Sequence, residues 1–344
     1  MGSGQPATIA AVATLASAST RDVALVVAAD QRVQSDIRQR VIEAMNATAF
    51  KPLAAIQQKL GRPARFAIVM KVHRSDNPEE NRFYVPIASA IAHACAANGA
   101  EVMPDTMTVN DHYELLDAPA SVHSGRCDGA FLIGAQLTAE SAAALSSNGS
   151  PMVLVDGYCE AGPLDSVVTD NETGGRLATE HLIATGHSEI GLLGTEPNSY
   201  PSMLGRRIGY GRALADHGLP AHYIDTPYLL HDSAAVVGLR YLDAHPEVSA
   251  VFGANDVVTV ALGQAARDAG YILPRDLSLV GFDDIDLASL VMPALTTMAV
   301  DKAVMGRAAF ALMCHRVECR EAEALTSLIV PRLVERESVA PPHD

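Results

Sequence analysis

Residues 251–284, VFGANDVVTVALGQAARDAGYILPRDLSLVGFDD, decide how this chain is read. Val251-Phe252 closes an apolar run and Gly253-Ala254-Asn255-Asp256 turns the chain. Val257 to Ala269 then has helical length, and Leu277 to Phe282 is a second β-rich run. Strand, helix, strand makes a parallel unit, whose carboxyl-end loops face the crevice where ligands bind. Two such loops are polar here, Asn255-Asp256 and Asp283-Asp284, and they become candidates for the floor of a small-molecule site. Asn and Asp also cap helices at such turns, and one residue can do both.

The same alternation runs through most of the chain. Strands are expected at 66–72, 101–104, 129–133, 152–155, 166–169, 189–193, 223–229, 250–252, 277–282, 296–300 and 327–333. Helices are expected between them, notably at 84–98, 172–185, 206–217, 234–244 and 302–316. Strict alternation implies parallel sheets covered on both faces. So many strands exceed a comfortable single sheet of ~5–6, so two lobes are expected, with a ligand between them. The front of the chain is different. Thr8 can cap a helix through Ile9, Val12, Ala13 and Leu15-Ala16, Ser17-Ala18 makes a tight turn, and Ser19 can cap a second helix to about Ala28. A third helix runs to about Thr48, and residues 53–60 suit one more. Two short helices across a tight turn, backed by a third, fit a helix-turn-helix as they fit any small bundle.

With 344 residues, 49% hydrophobic and 19% charged, the chain is globular and long enough for two or three domains. Its net charge of −15 is uneven: residues 1–62 carry +3 and the remainder −18. A basic head on an acidic body suits a nucleic-acid-facing module joined to something else. The five cysteines are scattered without C-x-x-C spacing, which fits a reducing compartment rather than a disulfide or zinc framework. The histidines show no H-E-x-x-H, so no metal or cofactor is expected. Without G-x-S-x-G, a P-loop or a G-x-G-x-x-G turn, no enzyme class and no catalytic residue emerges. Ala7 to Ala18 could pass for the apolar core of a secretory signal, but no Lys or Arg precedes it. No run reaches the ~20 apolar residues of a membrane span, and a cytoplasmic protein is the expectation.

Several motifs then occur in one order. They are Asp170-Asn171-x-x-Gly174-Gly175 leading to His181-Leu182-Ile183 and Gly186-His187, then Arg206-x-x-Gly209-Tyr210, Asn255-Asp256 and Val280-Gly281-Phe282-Asp283-Asp284. Leu333-Val334-x-Arg336-x-Ser338 closes the series, and Thr8-Ile9-x-x-Val12-Ala13 with Arg32-Val33 to Arg38-x-x-Val41 opens it. Together they resemble the LacI/GalR (lactose-repressor/purine-repressor) family of bacterial transcription regulators. The resemblance implies an α/β fold in which a small all-α helix-turn-helix head (1–50) and a hinge helix with linker (51–62) precede a two-lobed, periplasmic-binding-protein-like domain with parallel sheets (63–344). Lobe 1 would take about 63–168 plus 293–325, and lobe 2 about 169–292 plus 326–340. It further implies a repressor, a homodimer or dimer of dimers, on near-palindromic operator DNA and away from membranes.

By position, the resemblance gives Phe83, Tyr84, Asp156, Arg206, Ser233, Asn255 and Asp283 as effector-binding residues. Carboxylates and amides beside an Arg donor and an aromatic face suit a sugar or polyol, and a nucleobase would fit Arg206 and Asp283 as well. It gives Thr8, Ser19, Thr20, Arg21, Arg32, Gln57, Gln58 and Lys59 as DNA-binding residues. Thr20 and Arg21 stand where base edges are read, and a guanidinium pairs with guanine O6/N7. The chain also departs from the family. The Gly of the turn is Ser17. Ala24, Leu25 and Ala28 replace the polar Ser, Arg and Asn of the second helix. The Ser that caps the third helix is Gln34, with Ser35 available one step later. Lys59 stands where a minor-groove Leu is expected, with Leu60 one step late. These departures keep a second reading open, a two-lobed solute-binding protein with a degenerate head that does not bind DNA. The loop HRSDNPEENR, 73–82, is either a lid or a solvated surface loop.

Overall fold

The computed structural model describes residues 5–28, 30, 32–73, 81–110, 114–162, 164–226 and 231–343. Apolar strand runs alternating with helices produce two six-stranded sheets. The chain divides into two compact units, 1–168 with 302–329 and 169–301 with 330–344.

The first unit begins with four helices, α1 (Ile9–Ala16), α2 (Thr20–Val27), α3 (Ser35–Ala47) and α4 (Ala54–Leu60). Ile9, Val12, Ala16, Val23, Val26, Val41 and Ala44 form their shared core. Thr8 caps α1 by accepting from the Ala11 N–H, and Ser19 with Asp22 forms a reciprocal capping box on α2. Ser17 closes α1 in the left-handed region, at φ 49° and ψ 48°, so the turn keeps the geometry a glycine would supply more cheaply. Arg40 donates to the carbonyls of Ala16 and Ser17, both at 2.9 Å, and holds that turn from α3. At α3 neither candidate cap acts: Gln34 makes no side-chain cap bond and Ser35 is already helical.

The sheet of this unit runs β13-β7-β5-β3-β1-β2, from β1 (Arg65–His73), β2 (Glu101–Val109), β3 (Gly129–Ile133), β5 (Met152–Val155), β7 (Ser166–Thr169) and β13 (Thr326–Ile329). Strands β3, β5 and β7 are buried along their whole length, as expected of parallel strands covered on both faces. Helices α5 (Asn81–Ala97), α6 (Ala120–His123), α7 (Ala139–Ser146) and α13 (Lys302–Glu318) belong here, as does a short parallel pair, β4 (Gln136–Leu137) with β6 (Tyr158–Cys159).

The second unit's sheet runs β14-β12-β11-β10-β8-β9. Its strands are β8 (Ile190–Leu193), β9 (His222–Ile224), β10 (Ala250–Gly253), β11 (Ser278–Asp283), β12 (Thr296–Ala299) and β14 (Arg332–Val334). Its helices are α8 (Asn171–Ala184), α9 (Pro201–His217), α10 (His231–Ala244), α11 (Asp256–Asp268) and α12 (Asp286–Leu290). Helix α9 starts five residues before the expected 206, with Pro201 at the first helical position where a missing N–H costs nothing.

Three sequence expectations change. The run 327–333 is two strands, because Pro331 has no N–H to give a ladder. Strand β13 joins the first sheet, and β14 pairs antiparallel with β12 in the second. Residues 326–329 therefore belong to the first unit, whereas 293–301, expected there, belong to the second because β12 pairs with β11. Strand β9 covers only the start of the expected 223–229, and residues 227–230 lie outside those described. Among the described residues no single helix is long and apolar enough to cross a membrane.

Candidate functional site

In the second unit the site starts from glycines. Helices α8 and α9 pack so closely that a Cβ on Gly175 would overlap the Arg206 carbonyl, and one on Gly209 the Glu172 carbonyl. The two glycine-containing motifs are therefore the two sides of one helix contact, and that contact sets the position of Arg206. Its Nε donates to Asn171 Oδ1 at 2.9 Å, its Nη1 to the Ala254 carbonyl, and its Nη2 to Asp283 Oδ1 at 3.1 Å. The guanidinium lies over the Phe282 ring, 3.7 Å from its centroid. Arg206 is only 3% exposed, so its charge depends on these partners. Asp283 and Asp284 end β11 with φ of 105° and 51°, a strained turn held on its far side by Arg336, whose Nη2 donates to Asp284 Oδ1 at 2.6 Å.

Beside them lies Asp256, which the sequence places in a polar loop on the floor of the site but not among the effector-binding residues. Asp256 is fully buried, and its carboxyl accepts from the Ile285 N–H at 2.9 Å and the Thr297 hydroxyl at 2.5 Å. Burial, and then the neighbouring Asp283 charge, push this carboxyl up to about 8. An acid in the first turn of a helix ordinarily signals only a favourable dipole contact, so its sequence position gave no warning. Asn255 serves as the cap of α11, its Oδ1 accepting from the Val258 N–H at 2.9 Å. Ser233 is partly buried in the first turn of α10.

In the first unit Phe83 and Tyr84 sit in the first turn of α5, both 8% exposed, with their rings edge to face at 5.2 Å. The Tyr84 hydroxyl donates to Asp156 Oδ2 at 3.0 Å, and Asp156 follows β5 at φ 48°. Lys71, inside the apolar β1, is 4% exposed and places its Nζ 4.9 Å from the Tyr84 centroid. Lys302 stands over Phe83 at 5.4 Å. Gly134 makes room for the cluster, since a Cβ there would come within 2.9 Å of the Tyr84 ring. Lys71 is not among the sequence candidates either; its signal is that it is the one charged residue in the expected strand 66–72. Residues 74–80 of the possible lid lie outside those described.

The expected DNA-binding residues occupy different situations. Thr8 and Ser19 cap their helices, Thr20 is partly buried, and Arg21 is exposed in the first turn of α2. Arg32 pairs with Asp30 at 2.6 Å. Gln58 and Lys59 are exposed on α4, but Gln57 is turned onto the body, its Nε2 donating to the Asn98 carbonyl at 2.8 Å. For a metal, His222, His245 and Glu247 bring ligand atoms within 4.8 Å of one another. Both nitrogens of His222 are engaged there, with Tyr241 Oη at 3.0 Å and Glu189 Oε2 at 2.6 Å.

Comparison with known proteins adds the family. Residues 179–339 match the periplasmic binding protein-like domain. The transcriptional repressor PurR of Photobacterium profundum is 29% identical over 339 residues, covering 97% of this chain and 98% of that protein. The ribose operon repressor of Haemophilus influenzae is 27% identical with the same coverage. The solved complex of the transcriptional regulator CelR with cellobiose shares the fold with a TM-score of 0.66, at 24% identity over 97% of this chain and all of that one. With the glycine-set Arg206 and the repressor relatives spanning head and body alike, this chain is similar throughout its length to transcriptional repressors of the LacI/GalR type.

Proposed function

We propose that the protein is a dimeric, cytoplasmic, DNA-binding repressor whose operator affinity responds to a sugar or similar polyhydroxy metabolite. The observation that carries this reading is the buried Arg206, fixed by the Ala254 carbonyl and Asp283 at the carboxyl ends of β10 and β11, where ligands of parallel sheets bind, and by Asn171 at the start of α8. Its three hydrogen bonds use three of five guanidinium donors, and a carboxylate stands beside it. The pairing of donor and acceptor suits vicinal hydroxyls, each of which donates and accepts. Tyr84 and Asp156 repeat the combination in the first unit. Among relatives, a ribose operon repressor and a cellobiose-bound regulator support the sugar class. PurR relatives support the purine alternative, and the repressor role comes from the PurR and ribose operon relatives. No catalytic residue is assigned.

The mechanism is a coupling free energy. An effector that prefers one arrangement of the chain shifts operator affinity by ~1–3 kcal/mol, and the operator shifts effector affinity equally. A thermal-shift screen of sugars, polyols and purines tests the site, because a ligand at 100 times its Kd adds ~2.7 kcal/mol. A sugar or polyol should raise the melting temperature, and Asp283→Ala should abolish the rise. A shift that survives Asp283→Ala overturns the site, and a response to purines alone overturns the sugar class.

A further inference from the structure

Helix α2 has two faces. Val23, Val26 and Val27 turn into the head's own core. At about 100° per residue, Thr20, Arg21, Ala24, Leu25 and Ala28 lie on the opposite side, the side a recognition helix turns to DNA. On a head standing free, those residues face water. Here Ala24 is 1% and Ala28 0% exposed, and the element lying against α2 from the body is α13.

Helix α13 carries the matching sign. Ala303 and Arg307 on its outer face are exposed, yet Ala311 and His315, one and two turns beyond Arg307, fall to 1% each. At its end Glu318 Oε1 accepts from the Ala10 N–H at 3.4 Å, placing a carboxylate at the positive end of α1. Two further bonds close the joint: the Ser327 hydroxyl donates to Asp30 Oδ2 at 3.2 Å, and Arg32 Nη2 donates to the Thr326 carbonyl at 3.3 Å. Asp30 and Ser327 are both buried.

We infer that the outer face of α2 is a docking surface whose partner is α13 of the same chain, and that operator binding requires its release. The residue changes in this helix then have one cause. Where the family carries Ser, Arg and Asn, this chain has Ala24, Leu25 and Ala28, two of them small enough for helices to approach closely. The joint is also reversible by construction. Both ring nitrogens of the buried His315, and Glu318 Oε2, have no hydrogen-bond partner among the described residues, a cost that water relieves on release. Thr326 and Ser327 stand on β13, directly before the chain passes from the first unit to the second at Ile329–Val330. A shift of that crossover reaches the joint within three residues.

The docking half of this inference stands independently of the regulator reading, and the release half rests on it. Hydrogen exchange on the full chain tests the first half with two variants. Ser327→Glu sets two carboxylates against each other and leaves the head's sequence intact. Ala28→Glu puts a charge on the outer face of α2, away from the head's core, and covers the case in which the buried Ser327 does not tolerate Glu. In both variants the α2 amides should exchange at least tenfold faster than in the parent, with β10 unchanged. Equal α2 exchange in all three proteins overturns the docking.

For the release half, a duplex with two half-sites is selected from a random pool by Ser327→Glu. That variant should bind it about tenfold more tightly than the parent, a factor equal to ~1.4 kcal/mol. A released variant that binds no more tightly than the parent overturns the release requirement. Absence of any DNA binding by both, with α2 released, overturns the regulator reading and leaves the docking in place.

Discussion

Arg206 shows what a single side chain can carry in a buried site. It neutralises Asp283, orients Asn171 and stacks on Phe282, so removing it leaves a carboxylate without its counter-charge. Truncating one member of a buried pair costs ~3–5 kcal/mol, and Arg206→Ala should lower stability to urea by about that much while abolishing the ligand response. Asp256 gives a different prediction. Its folded carboxyl titrates near 8 against an ordinary value of 3.8, so between those values the folded chain holds a proton that the unfolded chain has lost. Its contribution is therefore largest below pH ~4 and declines as pH rises toward 8. Asp256→Asn keeps an oxygen for the Ile285 N–H and removes the titration. Urea unfolding from pH 5 to 9 should show a flatter dependence in the variant than in the parent. Arg206 and Asp283 were legible in sequence because each sits in a spaced motif. Asp256 was visible only as half of a polar turn and Lys71 only as a charge in an apolar run; their burial was not legible, since burial is a property of what surrounds a residue and their neighbours in space come from distant strands.

Elements were legible where an apolar run ends sharply. The expected strands 129–133, 152–155 and 166–169 agree with β3, β5 and β7 at both ends. The run 327–333 misled because its composition is β-rich on both sides of Pro331, and only the assignment of each half to a different sheet separates them. The α8–α9 contact is the element on which the site depends. Gly209→Ala should push the two helices apart, cost ~1–3 kcal/mol by overpacking, and weaken ligand-induced stabilisation although Gly209 is no candidate effector residue. In the head, Ser17 holds a left-handed turn that disfavours a Cβ by ~1–2 kcal/mol, part of which a more flexible glycine gives back on unfolding. Ser17→Gly should stabilise the head by about 0.5–1 kcal/mol, seen as slower amide exchange in α1 and α2. The three short helices of the head were readable from caps and valine spacing, whereas their seat against α13 was not, because a buried alanine and an exposed one look alike in sequence.

At the scale of the molecule, the terminal motif Leu333-Val334-x-Arg336-x-Ser338 is a stitch. The Ser338 hydroxyl donates to the Leu279 carbonyl at 2.6 Å and accepts from the Thr296 N–H at 2.8 Å, binding the last segment to the second sheet. Ser338→Ala orphans two buried backbone groups and should cost ~1–3 kcal/mol in urea unfolding, with loss of protection in β14. The two-unit division was legible from strand number, but the points of passage between units were displaced because the strands flanking them pair with partners far away in sequence. Those passages also bear on synthesis. Domains generally mature one after another as the ribosome extrudes them. Here the first unit still lacks α13 and β13 when the second has nearly all its strands, and β14 comes later again. Both halves therefore leave the exit tunnel with raw apolar edges, and it is the nascent chain, more than the finished protein, that needs chaperone cover.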